Sequence, residues 1–246
     1  YATGFYRLKG QGESSRLAEE ALQHYENGFR VMKIKLGFGL EDDIAVMHAI
    51  RDNISGLGVT LMVDTNHAYG RRDALTLGRK LSEFNLRWYE EPVVPEDLES
   101  YVELRRCLPM AIAGGENEHG LYGFKSLFGA GAVDIAQPDI GSCGGFTGAR
   151  HIVTLAQAFG VEINPHVWGS AIAQAASLQL IAALPISHHS IFSRQPILEY
   201  DQSAHPFLTA YLEAKKAPAA FPIAKAMPYS RLMCPLNTKV ISAPVV

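Results

Sequence analysis

Three acidic residues recur at one interval. Asp64 ends the run Thr60-Leu61-Met62-Val63, Glu90 ends Leu86-Arg87-Trp88-Tyr89, and Glu116 follows Met110-Ala111-Ile112-Ala113 through Gly114-Gly115. Each lies 26 residues after the one before. Any one of them could cap a helix or pair with an arginine. Three at the same place in successive units would repel one another unless a cation lay between them. Hard carboxylate oxygens suit Mg²⁺, which takes an octahedron of oxygen ligands and keeps positions open for water or substrate.

Other polar residues keep the same rhythm. Lys33 and Lys35 stand two apart in Val31-Met32-Lys33-Ile34-Lys35-Leu36-Gly37, which on a strand aims both at one face. Two ammonium groups side by side need anions close by, and each is expected to depress the pKa of the other, giving a usable general base. The alternative is two solvated lysines on an edge strand, which a closed barrel does not have. Asp139, in Gln137-Pro138-Asp139, and His166, in Pro165-His166-Val167-Trp168-Gly169, are 27 residues apart, so their side chains can be neighbours. A carboxylate on one imidazole nitrogen fixes the tautomer and leaves the other nitrogen as acid or base. His24, His48, His188, His189 and His205 carry no such context. Glu199 ends the run from Pro196, where a protonated acid could donate to a developing oxyanion; a structural role is equally open to it.

A lysine on one side, a histidine on the other and a metal between them suit proton abstraction beside a carboxylate, with the enolate held by the ion. A Schiff-base aldolase also uses a buried barrel lysine, but it has no need of three converging carboxylates.

The elements that must position these residues alternate. Strand-like runs begin near Tyr1, Val31, Thr60, Leu86, Met110, Val133, Val161 and Pro196. Helical spacing covers 15–29, 41–54, 73–84, 97–107, 121–128, 148–159 and 170–184, as with Ile44, Met47 and Ile50 in the second. Eight strands and seven helices in alternation mean βαβ units and a parallel sheet. With no Gly-rich GxGxxG turn, a closed (β/α)7β barrel of the TIM type is favoured over an open doubly wound sheet. In such a barrel the side chains at the carboxyl ends of the strands converge on one face. Residues 1–207 read as this single domain. Residues 208–246, with Pro218, Pro222, Pro228, Pro235 and Pro244, show no strong period and read as an irregular tail.

Composition removes other classes. Net charge is −3 from 22 basic and 25 acidic residues, which excludes a broad basic surface for nucleic acid and a polybasic patch for membranes. Hydrophobic residues make up 48% and charged ones 19%, enough for a core and against disorder. The most apolar run, 171–186, is interrupted by Gln174, Ser177 and Gln179 and is too short to span a bilayer. Three cysteines, Cys107, Cys143 and Cys234, form no CxxC pair and fit a reducing, cytoplasmic setting. The opening Tyr1-Ala2-Thr3-Gly4 has neither an initiator Met nor a signal pattern, and reads as the middle of a longer protein.

The motifs together resemble the barrel domain of the enolase superfamily, in its mandelate racemase and muconate lactonizing branch. The matching stretches are Lys33-Ile34-Lys35, Val63-Asp64-Thr65-Asn66, Glu90-Glu91-Pro92, Gly115-Glu116, Gln137-Pro138-Asp139 with Gly144-Gly145, and Pro165-His166. The use of a Lys or His base with Mg²⁺ is a trait of that superfamily, not a deduction from this chain. The resemblance implies that Asp64, Glu90 and Glu116 ligate Mg²⁺ and that Lys35 is the base on one face, with Lys33 near the substrate carboxylate. It implies that His166, oriented by Asp139, is the acid or base on the opposite face, and that Glu199 hydrogen-bonds the substrate carboxylate. Glu91 is expected to face the other way and to be structural. Glu90-Glu91-Pro92-Val93-Val94-Pro95-Glu96 and Glu199-Tyr200-Asp201 are similar to the subgroup of sugar-acid cycloisomerases of the galactarolactone type. That likeness implies a small sugar acid or lactone as substrate, loss of the proton α to its carboxylate and expulsion of a β-oxygen, with Asn66 and Trp168 as hydroxyl and ring contacts. A dehydratase or racemase of the same superfamily, or a non-catalytic truncated barrel, stays open beside it. The resemblance also implies that the family's α+β capping domain precedes the barrel and is outside this sequence, and that full-length members assemble as homo-oligomers.

Overall fold

A computed structural model describes residues 1–184 and 195–203. The chain alternates without exception: β1 (Ala2–Thr3), α1 (Ser14–Glu26), β2 (Val31–Lys35), α2 (Leu40–Asn53), β3 (Thr60–Asp64), α3 (Arg71–Leu81), β4 (Trp88–Glu90), α4 (Leu98–Cys107), β5 (Ala111–Gly114), α5 (Gly120–Ala130), β6 (Ile135–Ala136), α6 (Gly145–Phe159), β7 (Glu162–Ile163), α7 (Ala171–Ala183) and β8 (Tyr200–Asp201). A 3-10 turn, Ser82–Phe84, extends α3, so the expected helix to Phe84 divides in two. Every strand pair is parallel, in the order β7-β6-β5-β4-β3-β2-β1-β8. This is the (β/α)7β architecture that the alternation predicts. Among the described residues the seam between β7 and the approach to β8 is held by Asn164, whose Oδ1 accepts from the Ile197 N–H at 2.9 Å.

Strand alternation divides the apolar residues into two cores. Ile34, Leu61, Val63, Tyr89 and Ile112 face outward into one large cluster with Leu17, Val46, Leu77, Leu104, Phe124 and Ile152 of the helices. Met62, Trp88, Ala113 and Ile135 face inward and plug the barrel. Each large side chain buried in this way contributes roughly 1.5–3 kcal/mol. Side chains start two of the helices: Asp97 accepts from the Ser100 N–H, and Ser170 from the Ala173 N–H. Cys107 is exposed and Cys143 buried, both unpaired. No helix among the described residues is long and apolar enough to cross a membrane. The expected boundary at 207–208, the tail, Cys234, His188, His189 and His205 lie outside the described residues.

Candidate active site

The register of the central strands brings the acids together. Lys35 pairs with Asp64 and Asp64 with Glu90, so the ends of β2, β3 and β4 are level. Glu116 reaches the same place from the loop after β5. Gly115 makes that turn at φ +115°, where a Cβ would lie 3.0 Å from the Phe124 ring. Ligand oxygens of Asp64, Glu90 and Glu116 all lie within 4.8 Å of one another. The backbone is strained beside them: Asn66, His67 and Glu91 adopt φ of +41°, +51° and +41°. Non-glycine residues seldom take such values, and they cluster at functional sites.

Two lysines face the acids. The Lys33 ammonium, wholly buried, lies 2.6 Å from Glu90 Oε1, 3.0 Å from Glu199 Oε1 and 3.5 Å from Asp64 Oδ2. Lys35 Nζ donates to Asp64 Oδ2 at 2.5 Å and to Asn66 Oδ1 at 2.9 Å. The expected net lowering of the lysine pKa values does not occur. Burial pulls both down, but Glu199 and Glu90 at Lys33, and Asp64 at Lys35, more than offset it, and both are raised. The carboxylates arriving from neighbouring strands outweigh the repulsion between the two ammonium groups.

The acids respond in opposite directions. Burial pushes Asp64 up, yet Lys35 and Lys33 together hold it below the usual carboxylate range. Burial dominates at Glu90 against Lys33, with Asp64, Glu116 and Glu199 adding to it, and its pKa rises to about 8. Glu91 turns away from the triangle, as expected. Its Oε1 accepts from Asn117 Nδ2 at 2.7 Å, and its carbonyl accepts from Thr65 Oγ1 and the His67 N–H. Burial and the nearby Glu116 lift its pKa to about 7.

On the far flank, Asp139 Oδ2 lies 2.7 Å from His166 Nδ1. Burial raises the Asp139 carboxyl, but His166 and the Gly141 N–H pull it below its ordinary value. An ionised carboxylate only accepts, so Nδ1 carries the proton and Nε2 is turned toward the acids. His166 Nε2 stands 3.6 Å from Glu116 Oε2 and 3.9 Å from Glu199 Oε2. Burial lowers the His166 pKa, while Asp139, Glu116 and Glu199 raise it further, to about 9.

The two residues expected to touch substrate are placed differently. Asn66 is exposed at the mouth and spends its Oδ1 on Lys35. Trp168 is 55% exposed, and its Nε1 donates to Tyr6 Oη at 3.1 Å, joining the loops after β7 and β1. Sequence reasoning missed Trp88, whose indole Nε1 donates to Glu90 Oε2 at 2.8 Å. The signal was available: an aromatic residue two positions before an acid on one strand shares its face.

The residues present fit a divalent cation. Glu116 Oε2 is buried without a hydrogen-bond partner, in a set of three converging carboxylates. All the donors are hard oxygens, which suits Mg²⁺.

Residues 16–215 match the family described as enolase C-terminal domain-like. The chain belongs to that family. Among enolase-family relatives, D-galactarolactone cycloisomerase of Agrobacterium fabrum is 43% identical over 212 residues, covering 86% of this chain and 56% of that protein. The 3,6-anhydro-alpha-L-galactonate cycloisomerase of Streptomyces coelicolor is 35% identical over 151 residues, 61% of this chain and 42% of that one. In three dimensions, the 3,6-anhydro-D-galactonate cycloisomerase of Zobellia galactanivorans superposes with a TM-score of 0.75 at 42% identity, over 84% of this chain and 54% of that one. A racemase from Streptomyces coelicolor A3(2), solved with bound magnesium, gives a TM-score of 0.69 at 30% identity, over 81% and 55% of the two chains. The chain thus spans about half the length of the relatives it matches.

Proposed function

We propose that residues 1–207 form the catalytic barrel of a Mg²⁺-dependent lyase or cycloisomerase. Its substrate is a small sugar acid or lactone, which loses the proton α to its carboxylate and expels a β-oxygen. The observation that carries this reading is the placement of Lys35 and His166 on opposite flanks of one carboxylate triangle, Lys35 against Asp64 and His166 against Glu116. The names of the relatives, cycloisomerases and sugar-acid dehydratases among them, support the substrate class.

Asp64, Glu90 and Glu116 would hold the metal, which supplies Lewis acidity toward the substrate carboxylate when bound. Lys33 turns a cation to that carboxylate, 3.0 Å from Glu199. Burial raises the Glu199 carboxyl, but Lys33 and His166 hold it below its ordinary value, so the expected protonated acid is ionised here and must take up a proton before it can donate to substrate. One of the two bases takes the α-proton. As the bond from the β-carbon to oxygen breaks, the other gives its proton to the leaving oxygen, so charge and protons balance. For Lys35 to serve as base its Nζ must be neutral. Were Asp64 engaged by a cation, it would hold that proton less strongly, which would favour the neutral form of Lys35. His166 keeps its orientation in either role because Asp139 bonds the nitrogen that does not react.

The test is proton exchange and elimination in D₂O, followed by NMR, with the protein carrying this sequence, Mg²⁺ and D-galactarolactone or a panel of aldonic acids. Incorporation of deuterium at the α-carbon with release of a β-oxygen supports the reading. Absence of both across the panel, in protein shown to bind Mg²⁺, points instead to a barrel that keeps its metal site without catalysis.

A further inference from the structure

The β1–β8 seam holds two buried polar side chains for which the chemistry above has no use. Thr3 and Asp201 are register partners in this parallel pair. Tyr200 turns outward against Phe29, while Ile197 and Glu199, four and two positions before Asp201, face the barrel interior. Alternation therefore sends Asp201 inward. The same holds on β1: Ala2 packs in the outer core and Tyr1 against the inner one, which leaves Thr3 inward. Thr3 is fully buried and Asp201 is 6% exposed.

Asp201 Oδ1 accepts from the Ser203 N–H at 2.8 Å. Asp201 Oδ2 and Thr3 Oγ1 are buried without a hydrogen-bond partner among the described residues. Leaving such groups unmet is unfavourable. Their position makes the cost informative. Asp201 lies one inward step beyond Glu199 toward the carboxyl-terminal mouth, and its charge reaches Tyr6, the residue that Trp168 bonds at the rim.

The pair selects its own ligand. A carboxylate only accepts, whereas a threonine hydroxyl donates and accepts. A ligand hydroxyl can give its proton to Asp201 Oδ2 and receive one from Thr3. Asp201 and Glu199 together disfavour a second carboxylate, and Lys33, the register neighbour of Thr3 on the other side, disfavours an ammonium. We propose that Thr3 and Asp201 form a subsite for a chain hydroxyl of a polyhydroxylated acid whose carboxylate end lies at the Asp64, Glu90 and Glu116 triangle. This rests on the proposed function and extends it to the part of the substrate that does not react.

Calorimetric titration of the Mg²⁺-loaded chain with D-galactonate and with glycolate tests the subsite. Galactonate carries hydroxyls along its chain, and glycolate ends at its α-hydroxyl. Asp201→Asn and, separately, Thr3→Val are expected to weaken galactonate about tenfold, equivalent to about 1.4 kcal/mol, and to leave glycolate within about twofold. Thr3→Val keeps the shape of a buried β-branched side chain, so it decides the matter should Asp201→Asn fail to fold. Unchanged galactonate affinity in a folded variant overturns the subsite and leaves the proposed function standing. Equal losses for both acids also overturn it, because the substitutions then act on the cation cluster. A parent chain that binds neither acid overturns the proposed function and the subsite with it.

Discussion

Trp88 and Glu90 lie two residues apart on β4, and the indole N–H of the first donates to Oε2 of the second at 2.8 Å, while Lys33 holds Oε1 at 2.6 Å. Both oxygens of this acid are oriented before any ligand arrives, and each keeps a lone pair for a cation. Trp88→Phe retains a ring for the inner core and removes the donor. Affinity for Mg²⁺ should fall roughly tenfold, the lower end of what an outer-shell partner contributes. Calorimetry that returns the parent affinity would count against Glu90 as a ligand.

Removing a ligand should cost more. In Glu116→Gln the loss of Mg²⁺ affinity is expected to exceed the roughly 10–100-fold attached to outer-shell partners. Glu116 Oε2 has no hydrogen bond to lose, so the fold should melt near the parent temperature. Unaltered metal binding would remove Glu116 from the triangle.

The two flanks predict opposite stereochemistry. Lys35→Ala should abolish solvent exchange for one α-epimer of a substrate and His166→Asn for the other, each by about 10²–10⁴-fold. The measurement is deuterium incorporation by NMR with both epimers. Retained exchange of every epimer in both variants would mean that neither residue is the base.

Acid stability should depend on Glu20. Its Oε1 accepts from the Phe5 N–H at 2.7 Å and its Oε2 from Arg16 at 3.0 Å, with His24 Nε2 at 3.5 Å. Burial raises this carboxyl, but His24, the Phe5 N–H and Arg16 together bring it below the ordinary 4.5. The folded state thus binds fewer protons here than the unfolded chain. The stabilisation is whole above the unfolded pKa and fades as pH falls through the folded one. Urea unfolding of Glu20→Gln and parent should differ most at neutral pH and draw together as pH falls below the ordinary carboxyl value of 4.5. Parallel curves over that range would show that Glu20 carries no such linkage.

Gly148 tests how Asp139 is held. A Cβ there would overlap the Cys143 carbonyl oxygen and lie 3.0 Å from the carbonyl carbon, a backbone contact that cannot swing away. The Ser142 and Cys143 N–H groups both bond to the Asp139 carbonyl, so a shift would pass to the residue that orients His166. Gly148→Ala should cost about 1–3 kcal/mol, read from the denaturant midpoint. An unchanged midpoint would mean that α6 moves freely against this loop.

Much of the site was legible because a parallel barrel converts equal spacing along the chain into convergence in space. Asp64, Glu90 and Glu116 needed only their interval of 26 residues and their place at the ends of runs. What could not be read was the balance of charges. Lys33 and Lys35 lie two residues apart, so their repulsion is visible in the sequence, whereas Glu199 stands 3.0 Å from Lys33 only because β8 returns to β1. The contact between Trp168 and Tyr6 spans 162 positions and has no local signal. Strand lengths were also overestimated at the end of the barrel. The run that begins near Val161 yields a strand of two residues, Glu162–Ile163, and beyond it Asn164 meets Ile197 through its side chain.

The last strand closes on the first. Tyr200 N–H bonds to the Tyr1 carbonyl and Gln202 N–H to that of Thr3, across nearly the whole described chain. Contacts of such separation form late, because the entropy of closing so long a loop is unfavourable until the intervening units have docked. During synthesis seven strands can assemble while Lys33 still lacks Glu199 and Thr3 still lacks Asp201. A chain halted before β8 would hold the Asp64, Glu90 and Glu116 triangle with one wall missing, and departure of β8 would reopen that wall. The ring of charges around Lys33 is therefore completed only when β8 docks, late in the folding of the barrel.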